Sequence, residues 1–153
     1  MRALALAMCL ATQAVAQDGG DPIAVSPCGD YRSRADAIAE PWEMSTATFA
    51  NGEVRLVLMY TIEPAAAAFH LLVLSPPYDE VGGRTCQVLS RFESHGWTGI
   101  AFDTLDTQYD PAKGLSFQLE AWDLPEVTED PLVIRFTLNQ ATGEITGTTG
   151  PAY

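Results

Sequence analysis

The chain has 153 residues, with 20 acidic against 8 basic side chains and a formal charge of −12 at pH 7. This charge argues against nucleic acid or anionic lipid as a partner, and it favours solubility or a basic partner. The apolar share of 47% is ordinary for a globular protein and the length suits one domain, so the charge does not indicate disorder.

The first sixteen residues are typical of a secretory signal peptide. Arg2 supplies a positive start, Ala3–Ala11 is apolar, and Ala14-Val15-Ala16 is a small-x-small triplet. The apolar run is too short to span a bilayer as a helix, so no transmembrane segment is expected. We therefore expect cleavage after Ala16 and a periplasmic or secreted protein; an attached N-terminal helix is the alternative.

The next region, Gln17–Gly29, is rich in glycine and proline and has no period, which predicts an exposed, flexible leader. Residues 30–153 are expected to form a single domain. Within it, Ser33–Ala39 predicts a short helix that stops before Pro41, because proline disfavours helical conformation in the residue before it.

Two cysteines, Cys28 and Cys86, follow the predicted cleavage point. In an oxidising compartment an even pair most simply forms a disulfide, which would tie the irregular N-terminal segment to the sheet. Closing so long a loop stabilises a fold by about 4 kcal/mol on the chain-entropy model. A reactive or metal-binding pair is the alternative, and no Cys-x-x-Cys spacing supports it.

A three-stranded antiparallel meander is predicted between Ser45 and Ser75. Its strands are expected to end at Ala50, to span Val54–Ile62 and to span Phe69–Leu74, with Asn51-Gly52 as the tight turn that this pair favours. The last two strands are largely apolar on both faces, which indicates a central position in the sheet.

Alternating patterns predict five further strands, at Thr85–Phe92, Trp97–Phe102, Leu115–Trp122, Leu132–Asn139 and Glu144–Thr148. About eight strands separated by turns predict an all-β fold with one short N-terminal helix. The strands are expected to form an antiparallel sandwich or a small barrel, stapled by the disulfide.

The segment Ser75–Arg84 carries Pro-Pro and Gly-Gly and is expected to interrupt the meander as a loop. Tyr78, Asp79 and Glu80 are the predicted partner-contacting residues, since the prolines stiffen the loop and these side chains offer an amphipathic ring and charge. A plain connection with an exposed tyrosine is the alternative.

No G-x-S-x-G, P-loop, G-x-G-x-x-G or H-E-x-x-H motif is present, and we predict no catalytic residue, metal ligand or cofactor. His70 lies in a predicted inner strand, where a hydrogen-bonded structural imidazole is expected. His95 lies in a turn and is expected to be exposed to solvent.

The leading hypothesis is an exported, non-catalytic binding or accessory protein of the cell envelope that contacts a partner, such as a basic protein, through surface loops. One alternative is a small barrel that carries an apolar ligand. It is suggested by apolar residues on strand faces that could have been exposed to solvent, namely Val57, Met59, Leu72 and Leu74. The sequence does not indicate an oligomeric state.

Acidic residues give two further alternatives. A hydrolase could use Asp103 and Asp106, as paired carboxylates do in glycosidases. Calcium could bind where oxygen ligands gather, although the EF-hand order is absent. The two acidic runs that could gather in this way are Asp103, Asp106 and Asp110, and Asp123, Glu126, Glu129 and Asp130.

Overall fold

The computed structural model describes residues 20–123 and 130–152, so the predicted signal peptide lies outside the described residues. The described chain forms ten β-strands in two antiparallel five-stranded sheets. The strands are β1 Asp21–Pro22, β2 Ala24–Pro27, β3 Thr46–Phe49, β4 Val54–Tyr60, β5 Phe69–Tyr78, β6 Arg84–Ser90, β7 Gly99–Asp110, β8 Gly114–Trp122, β9 Leu132–Leu138 and β10 Ile145–Pro151.

The two sheets pack face to face as a sandwich. Sheet I has the order β2-β6-β5-β4-β3, and sheet II has the order β1-β10-β9-β8-β7. Each sheet has two edge strands and does not close on itself, so the sandwich expectation is met and the barrel alternative is not.

The core lies between the sheets because alternate residues of each strand point inward. Leu56 and Leu71 of sheet I and Ile134 and Leu138 of sheet II are fully buried in one apolar cluster. Alternation then places polar residues of β8, β9 and β10 on the outer face of sheet II.

The outer face of sheet I is covered by residues 28–40, which we call the strap. It runs from the end of β2 to the edge of β4, where Ile38 bridges Met59 and Ala39 N donates to the Leu58 carbonyl at 3.0 Å. Apolar residues that suggested a ligand site pack against this segment and its neighbours, with Ala37 in the same cluster as Val57, Met59 and Leu72.

The helix predicted over Ser33–Ala39 is wrong. The strap instead makes two separate 3-10 turns, Tyr31–Ser33 and Ala35–Ala37, with extended backbone at Arg34 between them. Contacts with the sheet override the weak local preference for an α-helix, because the chain must be extended at Ile38 to pair with β4.

The predicted disulfide is confirmed: Cys28 and Cys86 are bonded, and Cys28 N donates to the Cys86 carbonyl at 3.1 Å. The bond joins the start of the strap to β6, as expected. An intramolecular disulfide is consistent with an extracellular or periplasmic protein. Among residues 20–123 and 130–152, no helix has the length and apolar character needed to cross a bilayer.

Two segments differ from the sequence expectation because proline is tolerated at sheet edges and bulges. Within the expected leader, β1 and β2 form edge strands of the two sheets, with Pro22 and Pro27 in them. The expected loop after Leu74 continues as β5 to Tyr78, with a register shift between Ser75 and Tyr78.

Candidate functional site

The predicted contact residues lie on the β5–β6 hairpin. Tyr78 is 47% exposed and Glu80 is also exposed. The Asp79 carboxylate is occupied, because its Oδ1 accepts from Val81 N at 3.0 Å and from Gly83 N at 2.6 Å. Asp79 therefore shapes the turn, and of the three predicted residues Tyr78 and Glu80 have side chains free to meet a partner.

The carboxylates considered for hydrolysis or calcium lie along one strand. Asp103, Asp106 and Asp110 all belong to β7, and Asp110 Oδ1 accepts from Ala112 N at 2.7 Å. In the part of the chain that the structure describes, no group of three or more His, Cys, Asp or Glu residues is placed to hold a metal ion. Of the second acidic run, Glu126 and Glu129 lie outside the described residues.

A buried polar network fixes the strap to sheet I. Arg32 Nη1 donates to Ser90 Oγ at 2.9 Å, and Ser90 Oγ lies 2.9 Å from His70 Nδ1. Arg32 also donates to Ser26 Oγ at 3.1 Å and forms a 2.6 Å ion pair with Asp30. The strap thus inserts a cation over the outer face of β5 and β6.

The network shifts two pKa values downward. Burial, followed by the nearby charge of Arg32, lowers the pKa of His70 to about 4. The hydrogen bond from the Arg32 side chain lowers the pKa of Asp30. His70 and Ser90 are both fully buried, so this serine and histidine are arranged to hold the strap rather than to meet a substrate. His95, in contrast, is exposed and stacks on Phe92 with ring centroids 4.8 Å apart.

Exposed apolar side chains gather at one end of sheet I. This end is formed where β3 and β5 begin and β4 and β6 end, according to the antiparallel registers. We call its exposed residues the apolar end, and their exposed fractions range from 41% to 72%. The apolar end consists of Trp42, Met44, Tyr60, Ile62 and Phe92.

The side chains of the apolar end lie on or beside neighbouring strands. Trp42 and Met44 precede β3, Tyr60 ends β4, and Phe92 follows β6. Between them, at the start of β5, Phe69 stacks on Tyr60 with ring centroids 4.8 Å apart. Strands β3, β4, β5 and β6 are consecutive in the sheet, so these residues lie along the same end of sheet I.

The same connecting segments carry exposed carboxylates. Glu40 and Glu43 flank Trp42, Glu63 follows Ile62, and Glu93 follows Phe92. The nearest arginine in these segments, Arg91, is already paired with Asp21 at 2.8 Å and Asp123 at 2.7 Å. The apolar end therefore has an acidic rim.

A second surface, on the outer face of sheet II, is polar. A groove of about 740 Å³ lies across this face and is lined by residues of all five strands. Its neutral hydrogen-bonding side chains are Gln108, Ser116, Gln118, Thr137, Thr146 and Thr148. We call it the polar groove.

Two charged side chains, Arg135 and Asp106, also line the polar groove. Arg135 lies on β9, the middle strand, and pairs in register with Gln118 of β8 and Thr148 of β10. Asp106 pairs with Gln118 from the other side, so β8 separates it from Arg135. Two strand spacings place the Cα atoms of the two residues about 10 Å apart.

The chain matches no protein-family model, and comparisons with curated proteins and with solved structures found no match. Function is therefore inferred from the surfaces themselves. Sequence analysis did not identify either surface as a site. The outward alternation of β8 and β9 was visible in the sequence, but the pairing of their polar residues across strands was not.

Proposed function

We propose that the protein is an exported binding domain, without catalysis of its own, that docks through the apolar end on a basic surface of an envelope or secreted protein. The main observation behind this proposal is that five of the ten exposed large apolar side chains in the described residues lie at this one end. Scattered apolar residues are ordinary on protein surfaces, whereas grouped ones mark interaction sites.

The composition of the apolar end suits protein recognition. Trp42 and Tyr60 belong to the residue types that contribute most to interface hot spots, and Met44 offers a flexible apolar contact. Because Tyr60 is stacked on Phe69, its ring loses little freedom on binding.

The acidic rim specifies the charge of the partner. Glu40, Glu43, Glu63 and Glu93 would attract a basic surface, and the chain's formal charge of −12 would speed the encounter at low salt. The same charge opposes association of two copies through this end. A basic partner therefore fits better than self-association.

The test uses the mature, disulfide-bonded protein as bait for an envelope extract, followed by binding measurements with the purified captured protein. We expect a basic partner that the wild type binds, whose affinity falls about tenfold or more in the double variant Trp42→Ser, Phe92→Ser. Raising the salt concentration should also weaken binding, because it screens the rim.

A matched control changes exposed apolar residues at the other end of the molecule. The double variant Tyr109→Ser, Val81→Ser removes side chains that are 65% and 92% exposed, and it should bind as the wild type does. The double variant Tyr78→Ala, Glu80→Ala tests the hairpin separately and leaves the Asp79 turn intact. Equal binding by the wild type and the Trp42, Phe92 variant would refute docking through the apolar end.

A further inference from the structure

The polar groove contains an arginine without a carboxylate partner. In the described residues, Arg135 forms no ion pair and no side-chain hydrogen bond, as is also true of the exposed Arg55, whereas Arg32, Arg34 and Arg91 are each paired with aspartate. The residues directly opposite Arg135, Gln118 of β8 and Thr148 of β10, are neutral, and the outward-facing carboxylate of Glu120 lies two residues from Gln118 without an ion pair to Arg135.

The surroundings of Arg135 limit the ligand to a small, singly charged anion. A guanidinium favours a carboxylate or phosphate group, because its planar fork of donors matches two oxygens. The polar groove holds this one cation, in a protein of charge −12. A polyanion such as nucleic acid would be repelled, which leaves a monoanion that one arginine can neutralise.

The rest of the groove calls for hydroxyl groups on the same ligand. The neutral side chains around Arg135 are hydroxyls and amides, which can donate and accept. Asp106, whose Cα lies about 10 Å from that of Arg135 across β8, is an acceptor suited to ligand hydroxyls and would repel a second carboxylate. The groove volume of about 740 Å³ lies in the range of small-molecule sites.

The floor of the polar groove is built on paired strands. Its side chains project from paired strands in the middle of a sheet, and Ser116 Oγ and Thr137 Oγ1 are hydrogen-bonded to each other at 3.0 Å. The paired strands fix the backbone spacing of these donors and acceptors, which lowers the entropy cost of binding.

We propose that the polar groove binds a hydroxylated carboxylate of the uronic-acid class, with the ligand carboxylate on Arg135 and its hydroxyls on the neutral side chains and Asp106. This site lies on sheet II and is separate from the apolar end, which lies on sheet I. Either can therefore fail without the other.

The test is a titration of the mature, disulfide-bonded protein, followed by amide NMR shifts, with three probes. D-glucuronate carries both features, D-glucose has the hydroxyls alone, and acetate has the carboxylate alone. We expect glucuronate to bind about tenfold or more tighter than either control, with shifts in β8, β9 and β10. No shift with glucuronate at about 10 mM, or acetate binding as tightly as glucuronate, would overturn the proposal.

Two variants assign the contacts. Arg135→Gln should weaken glucuronate about tenfold or more and leave glucose unchanged, since a charge-assisted hydrogen bond is lost. Asp106→Asn should weaken glucose and glucuronate alike. Arg55→Gln is the matched control: it removes the same charge from an exposed position on β4 of sheet I and should bind as the wild type does. Unchanged binding by Arg135→Gln would also overturn the proposal.

Discussion

The hydroxyl of Ser90 lies 2.9 Å from Nδ1 of His70, and both side chains are fully buried beneath the strap. Arg32 Nη1 can only donate, so Ser90 Oγ accepts from Arg32, and a neutral His70 can accept the hydrogen of Ser90 at Nδ1. A protonated His70 would donate to Ser90 Oγ. Ser90 would then accept hydrogen bonds from both Arg32 and His70, and neither could accept the hydrogen of its hydroxyl.

This arrangement predicts that acid destabilises the protein through His70. Its pKa is about 4 when folded and 6.5 ordinarily, so the unfolded chain binds the proton first as the pH falls. The free energy of unfolding should therefore decrease between about pH 6.5 and pH 4, by at most about 3 kcal/mol from this group. Chemical denaturation across that range measures the slope.

The variant His70→Gln separates this effect from other acid effects. Glutamine can still accept from Ser90 but does not titrate, so most of the slope between about pH 6.5 and pH 4 should disappear. The lowered pKa of Asp30 contributes only in more acidic solution, since stability from a depressed carboxyl pKa is lost below its ordinary value of 3.8. An identical slope in wild type and variant would contradict this assignment.

A second prediction compares two arginines of the strap. Arg32→Met removes a cation whose side chain is 7% exposed and leaves Ser90, Ser26 and Asp30 without its hydrogen bonds. We expect a loss of about 2 kcal/mol in the free energy of unfolding, because Asp30 stays partly solvated. Urea denaturation at neutral pH measures it.

The control for that comparison is Arg34→Met. Arg34 pairs with Asp36 at 2.8 Å, but both side chains are 66% exposed, and surface pairs of this kind contribute little. No measurable change in stability is expected. Equal losses in the two variants would show that the strap gains nothing from the buried network.

Much of the fold follows from the sequence, because period-two alternation fixes which side chains face inward. It predicted β8 and β9 nearly to the residue, with Leu119 and Ile134 on the inner face. The alternation did not predict the conformation of the strap, because that conformation depends on a distant strand through the bridge between Ile38 and Met59. A local propensity carries no information about that contact.

The candidate sites were harder to predict, since they depend on register between strands. Nothing local places Arg135 beside Gln118 and Thr148, or brings Trp42 to the same end of the sheet as Phe92. The structural role expected for His70 is supported by its burial and its hydrogen bond, but its partner Ser90 is 20 residues away in sequence. Partner binding by Tyr78, Asp79 and Glu80 stays a prediction.

A third prediction concerns the disulfide. Cys28 and Cys86 are 58 residues apart, so replacing both with serine should lower the free energy of unfolding by about 4 kcal/mol through the added freedom of the unfolded chain. Denaturation of the wild type with and without reductant should reproduce the difference. A reduced wild type as stable as the oxidised one would show that the strap is held by its other contacts alone.

The last prediction concerns Gly96, which follows His95 and precedes the buried Trp97. A Cβ at position 96 would overlap the carbonyl oxygen of Phe69 and approach that of Ala67 to 2.7 Å. These are backbone atoms of a packed segment, and Gly96 N itself donates to the Ala67 carbonyl at 2.9 Å. Gly96→Ala should therefore cost about 3 kcal/mol or more, because the backbone must shift.

Gly99→Ala provides the comparison for Gly96→Ala. A Cβ at Gly99 would meet only the Trp122 ring, at an ordinary contact distance of 3.5 Å, so alanine there should leave stability unchanged or slightly raised. Thermal and urea denaturation of both variants test the pair. If Gly96→Ala were as stable as Gly99→Ala, the close approach of the Phe69 backbone to position 96 would be wrong, and with it the bridge between Phe69 and Trp97 that closes this corner of the sandwich.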